Sequence, residues 1–277
     1  MEPRELPGFN KEGQPASDSL TFLGTGGARF MIISQILASG GMWFTLNGTE
    51  ILVDPGPGCI VQVTKRKLKP EKLSAIIVSH RHLDHSGDVN VMVEAMTQGG
   101  LRPRGKFFAP SDAFNDEPII FSYLKNSVKG IEVIKEGQSY EVGNVSFTTP
   151  VRHIHPVETY GMVFKTPDYT LSYISDTHYF DGLLQHYSGD VLIINTVFMA
   201  PVISDGNPTL PVEHLSVPDA AYIISQLKPK VAILTHFGMN VWRAGPWEIA
   251  KAISQETGVR VIAARDGMKF ELSELHK

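Results

Sequence analysis

Short apolar runs separated by turn signals recur along the chain, and most of them have the length of a β-strand. Residues 75–79 (A-I-I-V-S) form one such run, which is typical of a strand buried on both faces. Met42–Leu46 and residues 50–53 flank Asn47-Gly48, a pair that favours a tight hairpin turn. Further strands are predicted at residues 20–23, 131–134, 145–148, 161–165, 171–174, 191–195 and 231–235.

Longer segments between these runs have helical character. Helices are predicted at residues 86–97, 112–127, 217–227 and 246–256, with a similar character at 59–69. Ser216 precedes one of them as a capping residue, with Pro218 in the first turn and Asp219 at the third position. Strands dominate the first half and strand–helix units the second, which predicts an α/β class. We expect a single domain over residues 20–277 and an irregular extension over residues 1–19.

The composition excludes several classes of protein. Of the 277 residues, 42% are hydrophobic and 19% are charged, which is ordinary for a globular protein. The formal net charge of −4 gives no bulk attraction to nucleic acid or to an anionic membrane. A single cysteine cannot form an internal disulfide, and no run approaches the roughly 20 apolar residues that a membrane span needs. We therefore expect a cytoplasmic protein without a signal peptide.

Residues 79–88, S-H-R-H-L-D-H-S-G-D, hold three of the ten histidines. Alternate residues of an extended segment point the same way, so His80 and His82 can reach one point in space. Asp84 and His85 follow where the chain turns into a predicted helix, and they can face a second point nearby. Imidazole and carboxylate together suit zinc, iron or manganese. A solvated histidine cluster fits poorly, because the stretch directly follows a buried strand, where α/β proteins carry their sites.

H-x-H-x-D-H after an apolar strand resembles the metallo-β-lactamase superfamily, and the other motifs of that family occur in order. They are Asp54 in I-L-V-D-P-G, His155 in H-I-H-P-V-E-T-Y-G, Asp176 in Y-I-S-D-T and His236 in A-I-L-T-H-F-G. L-T-F-L-G-T-G-G-A at residues 20–28 is similar to the tRNase Z and cyclic-phosphodiesterase branch, as are H-P-V-E-T-Y-G and L-T-H-F-G. The resemblance implies a four-layer αββα sandwich, with two mixed sheets face to face and the site at one edge.

The resemblance also implies two divalent metal ions, for which we expect zinc, with manganese and iron as alternatives. The implied ligands are His80, His82 and His155 for the first ion and Asp84, His85 and His236 for the second, with Asp176 bridging both. Asp54 is implied to orient ligands and the bound water. The alternative for Asp54 is a turn-forming residue before Pro55.

Other polar positions compete for roles in this site. His153 lies two residues before His155 and would point the same way, but the segment after His155 is the one that resembles the branch pattern. His178 either lines the pocket or is a solvated loop residue. The glycine-rich turn at residues 24–27 lacks the spacing of a phosphate-binding loop, and no helical pattern follows it. We expect it to be a tight turn near the site.

His214 in E-H-L-S lies just ahead of a predicted helix, 22 positions before His236. Its place resembles that of an additional histidine which phosphodiesterases of this branch use near the scissile phosphate. The resemblance therefore makes His214 a candidate acid for the leaving group, and a histidine that merely caps or packs beside the helix is the alternative. Together with Asp84 and Asp54, it completes the candidate catalytic residues.

The activity implied by two metal ions is hydrolysis by a hydroxide held between them. His155 and Asp176 are only 21 positions apart, filled by one predicted hairpin, which leaves no room for the tRNA-gripping arm that tRNase Z inserts there. We expect a phosphodiesterase for small nucleotide-like or cyclic phosphate esters, with no long RNA and no membrane as partner. Alternatives are a lactonase or thioesterase of the same fold, a di-iron redox protein, and a non-catalytic binding module. Dimers are common for such folds, so a homodimer stays open.

Overall fold

A computed structural model of the chain describes residues 17–201 and 213–276. The strands in these ranges are β1 (Ser19–Phe22), β2 (Met42–Leu46), β3 (Thr49–Val53), β4 (Leu73–Ile77), β5 (Lys106–Ala109), β6 (Gly130–Val133), β7 (Gln138–Val142), β8 (Val145–Thr149), β9 (Met162–Lys165), β10 (Thr170–Ile174), β11 (Val191–Asn195), β12 (Val231–Thr235), β13 (Arg260–Ala263) and β14 (Lys269–Glu271). The α-helices are α1 (Ala28–Ser34), α2 (Cys59–Lys65), α3 (Leu83–Ser86), α4 (Val89–Thr97), α5 (Gly182–His186), α6 (Val217–Leu227), α7 (Met239–Ala244) and α8 (Pro246–Thr257).

The strands form two seven-stranded mixed sheets. The order in the first is β14-β1-β2-β3-β4-β5-β6, and the order in the second is β13-β12-β11-β10-β9-β8-β7. Strands β3 to β6 run parallel to one another in the first sheet, as do β10 to β13 in the second. The remaining pairings are antiparallel. Each sheet therefore combines a parallel half, whose strand ends can hold a site, with an antiparallel half.

The two sheets pack face to face around a central apolar core to which both contribute. Phe44 of β2 meets Phe164 of β9 edge to face with ring centroids 5.3 Å apart, and Phe108 of β5 meets Phe147 of β8 at 5.2 Å. Separate outer cores lie under α2 and α4 on the first sheet and under α5 to α8 on the second. The predicted four-layer αββα sandwich is confirmed.

Strand β11 shows why several strands read as continuous apolar runs. All five of its residues are buried. Ile193 enters the core between the sheets, whereas Leu192 and Ile194 enter the outer core beneath the helices. Because successive side chains point to opposite faces, a strand covered on both sides reads as an apolar run, and in β11 only the last residue, Asn195, is polar.

The start of α6 follows the predicted capping pattern. The Ser216 hydroxyl accepts a hydrogen bond from the Asp219 amide, and the Asp219 carboxylate accepts one from the Ser216 amide at 2.8 Å. This reciprocal pair satisfies amide groups that the first helical turn leaves free. Helix α8 likewise begins at the predicted residue and ends one residue later than predicted.

The predicted helix over residues 112–127 is wrong. The segment contains only two 3₁₀ turns, Ser111–Phe114 and Ser122–Ser127. Pro118 lies between them, and proline removes a helical hydrogen bond and disfavours helical geometry in the residue before it. The helical spacing of the apolar residues was therefore misleading here.

Other elements were missed or shifted. A helix, α1, does follow the glycine-rich turn, but it has only seven residues and exposes Phe30 and Ile33, so no polar face marks it. Strands β5, β7, β13 and β14 were not predicted. Of the predicted extension, residues 1–16 lie outside the described residues, and β1 begins at Ser19. Across residues 17–201 and 213–276, no helix combines the length and the apolarity that crossing a bilayer requires.

The core between the sheets predicts a large effect of truncating Phe164. This ring is fully buried and also meets Phe147 with centroids 5.5 Å apart. Phe164→Ala should lower the free energy of unfolding by about 3–5 kcal/mol, because a cavity is left between the sheets. Phe121→Ala, at a side chain that is 52% exposed, should change it by less than about 0.5 kcal/mol. Urea unfolding of both variants checks this, and equal effects would contradict the described core.

Candidate metal centre

Four predicted site residues follow the carboxyl ends of parallel strands. Asp54 directly follows β3, and His80 lies shortly after β4 in the first sheet. Asp176 lies shortly after β10, and His236 directly follows β12 in the second sheet. Since parallel strands of one sheet end at the same edge, the two sheets bring these side chains together at one edge of the sandwich.

The structure brings all seven predicted ligands together in two groups, each with its ligand atoms within 4.8 Å of one another. The groups are His80, His82 and His155, and Asp84, His85, Asp176 and His236. The oxygen Oδ2 of Asp176 lies 3.7 Å from His80 Nε2 in one group and 3.3 Å from His85 Nε2 in the other. Asp176 thus stands between the groups, at the place expected of a bridging carboxylate.

Hydrogen bonds behind the site fix the tautomer of three imidazoles. Ser79 Oγ donates its proton to Asp54, so at 3.0 Å it must accept from His80 Nδ1. His85 Nδ1 donates to Asp54 Oδ2 at 3.0 Å, and His155 Nδ1 donates to the carbonyl of Glu213 at 3.0 Å. When neutral, each ring therefore presents its Nε2 lone pair to the site, as a metal ligand must.

These ring nitrogens lie close to nitrogens of neighbouring histidines, which is the observation that tests whether metal ions fit. His85 Nε2 lies 2.9 Å from His236 Nε2, and His155 Nε2 lies 3.1 Å from His82 Nδ1. His80 Nε2 is buried without any hydrogen-bond partner. Two imidazole lone pairs at such distances repel unless a proton or a cation lies between them. The donor set and its orientation fit divalent metal ions.

Burial, the largest effect, lowers the pKa of His80 well below its usual value and lowers the pKa of His155 to about 4. Burial also lowers the pKa of His85, but the carboxylates of Asp176, Asp54 and Asp84 outweigh it and raise this pKa well above its usual range. Burial raises the pKa of Asp176, but nearby histidine charges outweigh it and hold this pKa well below its usual value. The site therefore combines neutral imidazoles at His80 and His155 with a protonated His85 and an ionised Asp176, and the proton on His85 stands where a cation would bind.

Asp54 lies behind the ligands. Its carboxylate accepts hydrogen bonds from the amide and hydroxyl of Ser79 at 2.6 and 2.8 Å, from Tyr173 Oη at 2.9 Å and from His85 Nδ1 at 3.0 Å. The backbone of Asp54 is left-handed, with φ of 53°, a conformation uncommon for residues other than glycine. The side chain of Asp54 therefore has contacts that a turn residue before Pro55 does not need. It orients His85 through Nδ1, the ring nitrogen that faces away from the site.

His236 is also left-handed, with φ of 58°. The glycine-rich turn packs directly on its ring, since a Cβ on Gly27 would come within 2.1 Å of His236 Nδ1. The turn is itself tied down by Asp266, whose carboxylate accepts from the Thr25 amide at 2.9 Å and from the Ala38 amide at 2.8 Å. The turn thus packs against a predicted ligand.

The other histidines fall into different places. His214 lies at the border of the site, with its side chain 16% exposed and Nδ1 at 3.5 Å from Asp176 Oδ2. His153 is buried outside both groups, where Nδ1 donates to the Asp176 carbonyl at 3.2 Å and Nε2 accepts from Tyr187 Oη at 2.7 Å. His178 is exposed. His153 is therefore a support for the backbone of Asp176 and is absent from both ligand groups.

Sequence reasoning missed the polar residues that support the ligands. They include Ser79, Tyr173, Ser175 and Asn195, all of which are buried. Asn195 Nδ2 donates to Asp176 Oδ1 at 2.8 Å, and Ser175 Oγ donates to Ser79 Oγ at 2.8 Å across the two sheets. The available signal was the single polar residue that ends an apolar strand, as in V-L-I-I-N at β11.

The αββα fold, with His and Asp groups gathered at strand ends, defines a metallo-hydrolase of the β-lactamase fold. The family described as Beta-lactamase superfamily domain matches residues 49–237, and the chain belongs to this family. It is a metal-dependent hydrolase. The protein MJ1374 of Methanocaldococcus jannaschii is 32% identical over 261 residues, covering 91% of this chain and 94% of that protein.

Further relatives agree with the predicted branch. The probable metallo-hydrolase YhfI of Bacillus subtilis is 27% identical and covers 73% of this chain and 82% of its own length. A ribonuclease Z of Sulfolobus acidocaldarius is 29% identical over 136 residues, 47% of this chain and 44% of that protein. The predicted resemblance to metallo-β-lactamase hydrolases near the tRNase Z branch is confirmed.

Solved structures show the same fold. The crystal structure of YhfI from Bacillus subtilis has a TM-score of 0.74 and 24% identity, and the match covers 92% of this chain and 100% of that one. A diphosphatase of the PhnP family has a TM-score of 0.67 and 21% identity, with 92% and 98% covered.

The contacts of Asp54 predict weaker metal binding when its charge is removed. Asp54→Asn keeps the size of the side chain, but an amide cannot accept all the hydrogen bonds that Ser79, Tyr173 and His85 donate to the carboxylate. We expect metal affinity to fall by roughly 10–100-fold, the usual effect of losing a partner behind a ligand. Competition with a chelator on folded protein measures this. Asp168→Asn, at an exposed turn, is the control, and identical metal retention in both variants would refute the role of Asp54.

Proposed function

We propose that this chain is a binuclear metal-dependent phosphodiesterase that acts on small nucleotide-like or cyclic phosphate esters. The observation that carries the proposal is the position of Asp176 Oδ2. It lies 3.7 Å from His80 Nε2, 3.3 Å from His85 Nε2 and 3.5 Å from His214 Nδ1. One carboxylate oxygen is thus shared by two ligand groups and faces a histidine that belongs to neither.

In this proposal, each of the two ligand groups would hold one ion, and Asp176 would contribute to both. Bound divalent ions, for which we favour zinc, supply an activated water at neutral pH and positive charge beside the electrophile. The protein fixes the ligand set through Asp54 and Ser79, which keep the site-facing nitrogens of His85 and His80 free of protons in the metal-loaded state. Asp84 Oδ2, 3.4 Å from His236 Nε2, completes the second group as an anionic ligand.

His214 is proposed to assist the leaving group. Its Nδ1 faces Asp176 Oδ2 at 3.5 Å, which leaves Nε2 as the nitrogen that can give a proton to substrate. The ring is held between Phe198 and the ligands His155 and His236, with centroids 5.8, 5.3 and 6.0 Å away. A histidine fixed at the border of the ligand groups is well placed to protonate a departing alkoxide.

Two observations support a small phosphate ester as substrate. Between His155 and Asp176, strands β9 and β10 pair as an antiparallel hairpin, so no long arm for gripping RNA is inserted there. Two similar proteins are named ribonuclease Z and diphosphatase, activities that act at phosphorus. These names favour a phosphodiester over a lactone or a thioester.

A panel of substrates tests the proposal. Zinc-loaded protein is assayed with bis-p-nitrophenyl phosphate, a cyclic nucleotide, a lactone and a thioester. The proposal predicts hydrolysis of the phosphodiesters and little turnover of the carboxylic esters. Turnover confined to the lactone or the thioester would replace the proposed substrate class while leaving the hydrolase assignment intact.

The proposed role of His214 predicts that its removal affects substrates according to their leaving group. His214→Ala should retain its metal ions but lose about 10²–10⁴-fold in rate on a substrate with a poor alkoxide leaving group, because positioned acids contribute that much. It should lose far less on a p-nitrophenyl ester, whose leaving group needs little protonation. Steady-state rates on both substrates, with metal content measured in parallel, check this. Equal losses on the two substrates would argue against an acid role.

The short connection between His155 and Asp176 leads to a prediction about substrate length. Without a gripping arm, kcat/KM should differ little between a dinucleotide or cyclic phosphate and a long RNA. Rates are compared on a cyclic phosphate, a dinucleotide and a tRNA precursor over a range of salt concentrations. Far more efficient cleavage of the tRNA precursor, with a steep dependence on salt, would reveal extended phosphate contacts and contradict the prediction.

A further inference from the structure

The two oxygens of the Asp176 carboxylate have different surroundings. Asn195 Nδ2 donates to Oδ1 at 2.8 Å, and both side chains are almost completely buried. His236 Nδ1 is 3.5 Å from the same oxygen and makes no hydrogen bond there. Oδ2, in contrast, faces His80 Nε2 and His85 Nε2, one from each ligand group. One oxygen is therefore engaged by a neutral amide and the other is directed at both proposed ions.

The fold gives Asn195 this place. It is the last residue of β11, which pairs in parallel with β10, the strand that leads into Asp176. The amide can present only its nitrogen to a carboxylate, because its carbonyl oxygen would repel Oδ1. Asn195 Nδ2 also lies 3.5 Å from Tyr173 Oη, and this hydroxyl donates to Asp54. The amide is therefore connected through Tyr173 to the carboxylate that follows β3 of the first sheet.

The backbone of Asp176 is held independently. His153 Nδ1 donates to its carbonyl at 3.2 Å, and His153 is fixed in turn by the hydroxyl of Tyr187. Because the backbone of Asp176 is held, the main remaining motion of its side chain is rotation of the carboxylate. The hydrogen bond from Asn195 to Oδ1 opposes this rotation. Oδ2 is the oxygen that faces a histidine of each ligand group.

We propose that Asn195 is a positioning residue that occupies Oδ1 of Asp176 and so reserves Oδ2 as a single-atom bridge between the two ions. A bridge through one atom holds the ions closer together than a bridge through both oxygens of a carboxylate. Without Asn195, Oδ1 becomes free to take one ion, and the spacing between the ions increases. The inference needs the metal centre of the proposed function but is independent of the substrate.

The test compares zinc-loaded Asn195→Leu with wild type and with Asn90→Leu. Asn90 also makes two side-chain hydrogen bonds, to Phe121 and Ile119 in a loop that contains none of the ligands, so the same substitution there controls for lost polar contacts. The readouts are metal retention against a chelator and the zinc–zinc distance from X-ray absorption. We expect Asn195→Leu to bind metal roughly 10–100-fold more weakly and to have a longer zinc–zinc distance, with both unchanged in Asn90→Leu.

Asn195→Ala is measured in the same way and replaces the leucine variant if that chain does not fold. A folded variant with the wild-type zinc–zinc distance would overturn the proposal, even if its stability were reduced. A longer distance with weaker binding supports it. Neither readout involves phosphodiester turnover. An inactive wild type would therefore count against the proposed function, whereas this inference is decided by the metal data alone.

Discussion

The carboxylate of Asp54 is the contact on which the rest of the site depends, because it joins the two sheets where the ligands converge. It accepts hydrogen bonds from Ser79 of the first sheet, from Tyr173 of the second and from the ring of His85. A buried charge is tolerated only when its oxygens are paired, so each donor is confined to one position. The tautomer of His85, and through Ser79 that of His80, follow from this one carboxylate.

The same arrangement brings imidazole nitrogens of the site into close pairs. Imidazole nitrogens lie 2.9 Å and 3.1 Å apart, distances that need a proton or a cation between them, and Asp54 and His236 both adopt left-handed backbone conformations. Such features persist only where surrounding structure enforces them. In the proposed binuclear centre, divalent ions would take the place of the protons between these nitrogens, so metal binding should stabilise the folded chain.

The sequence predicted the fold and the candidate site where local pattern and geometry agree. Apolar runs marked the parallel strands, and polar residues just beyond them, such as His80 and His236, lie at the site. Helix α1 was missed because it has no polar face, and residues 112–127 were misassigned because Pro118 outweighs their spacing. Supporting contacts such as that between Asp54 and Tyr173, 119 positions apart, depend on sheet packing that no local pattern encodes.

The metal content of the purified, folded protein tests the account most directly. The chain is loaded with zinc, freed of excess metal by gel filtration and analysed for metal and protein together, with circular dichroism as a check of folding. We predict two zinc ions per chain, because two ligand groups share the one carboxylate of Asp176. A folded protein that retains one ion or none would contradict the binuclear centre.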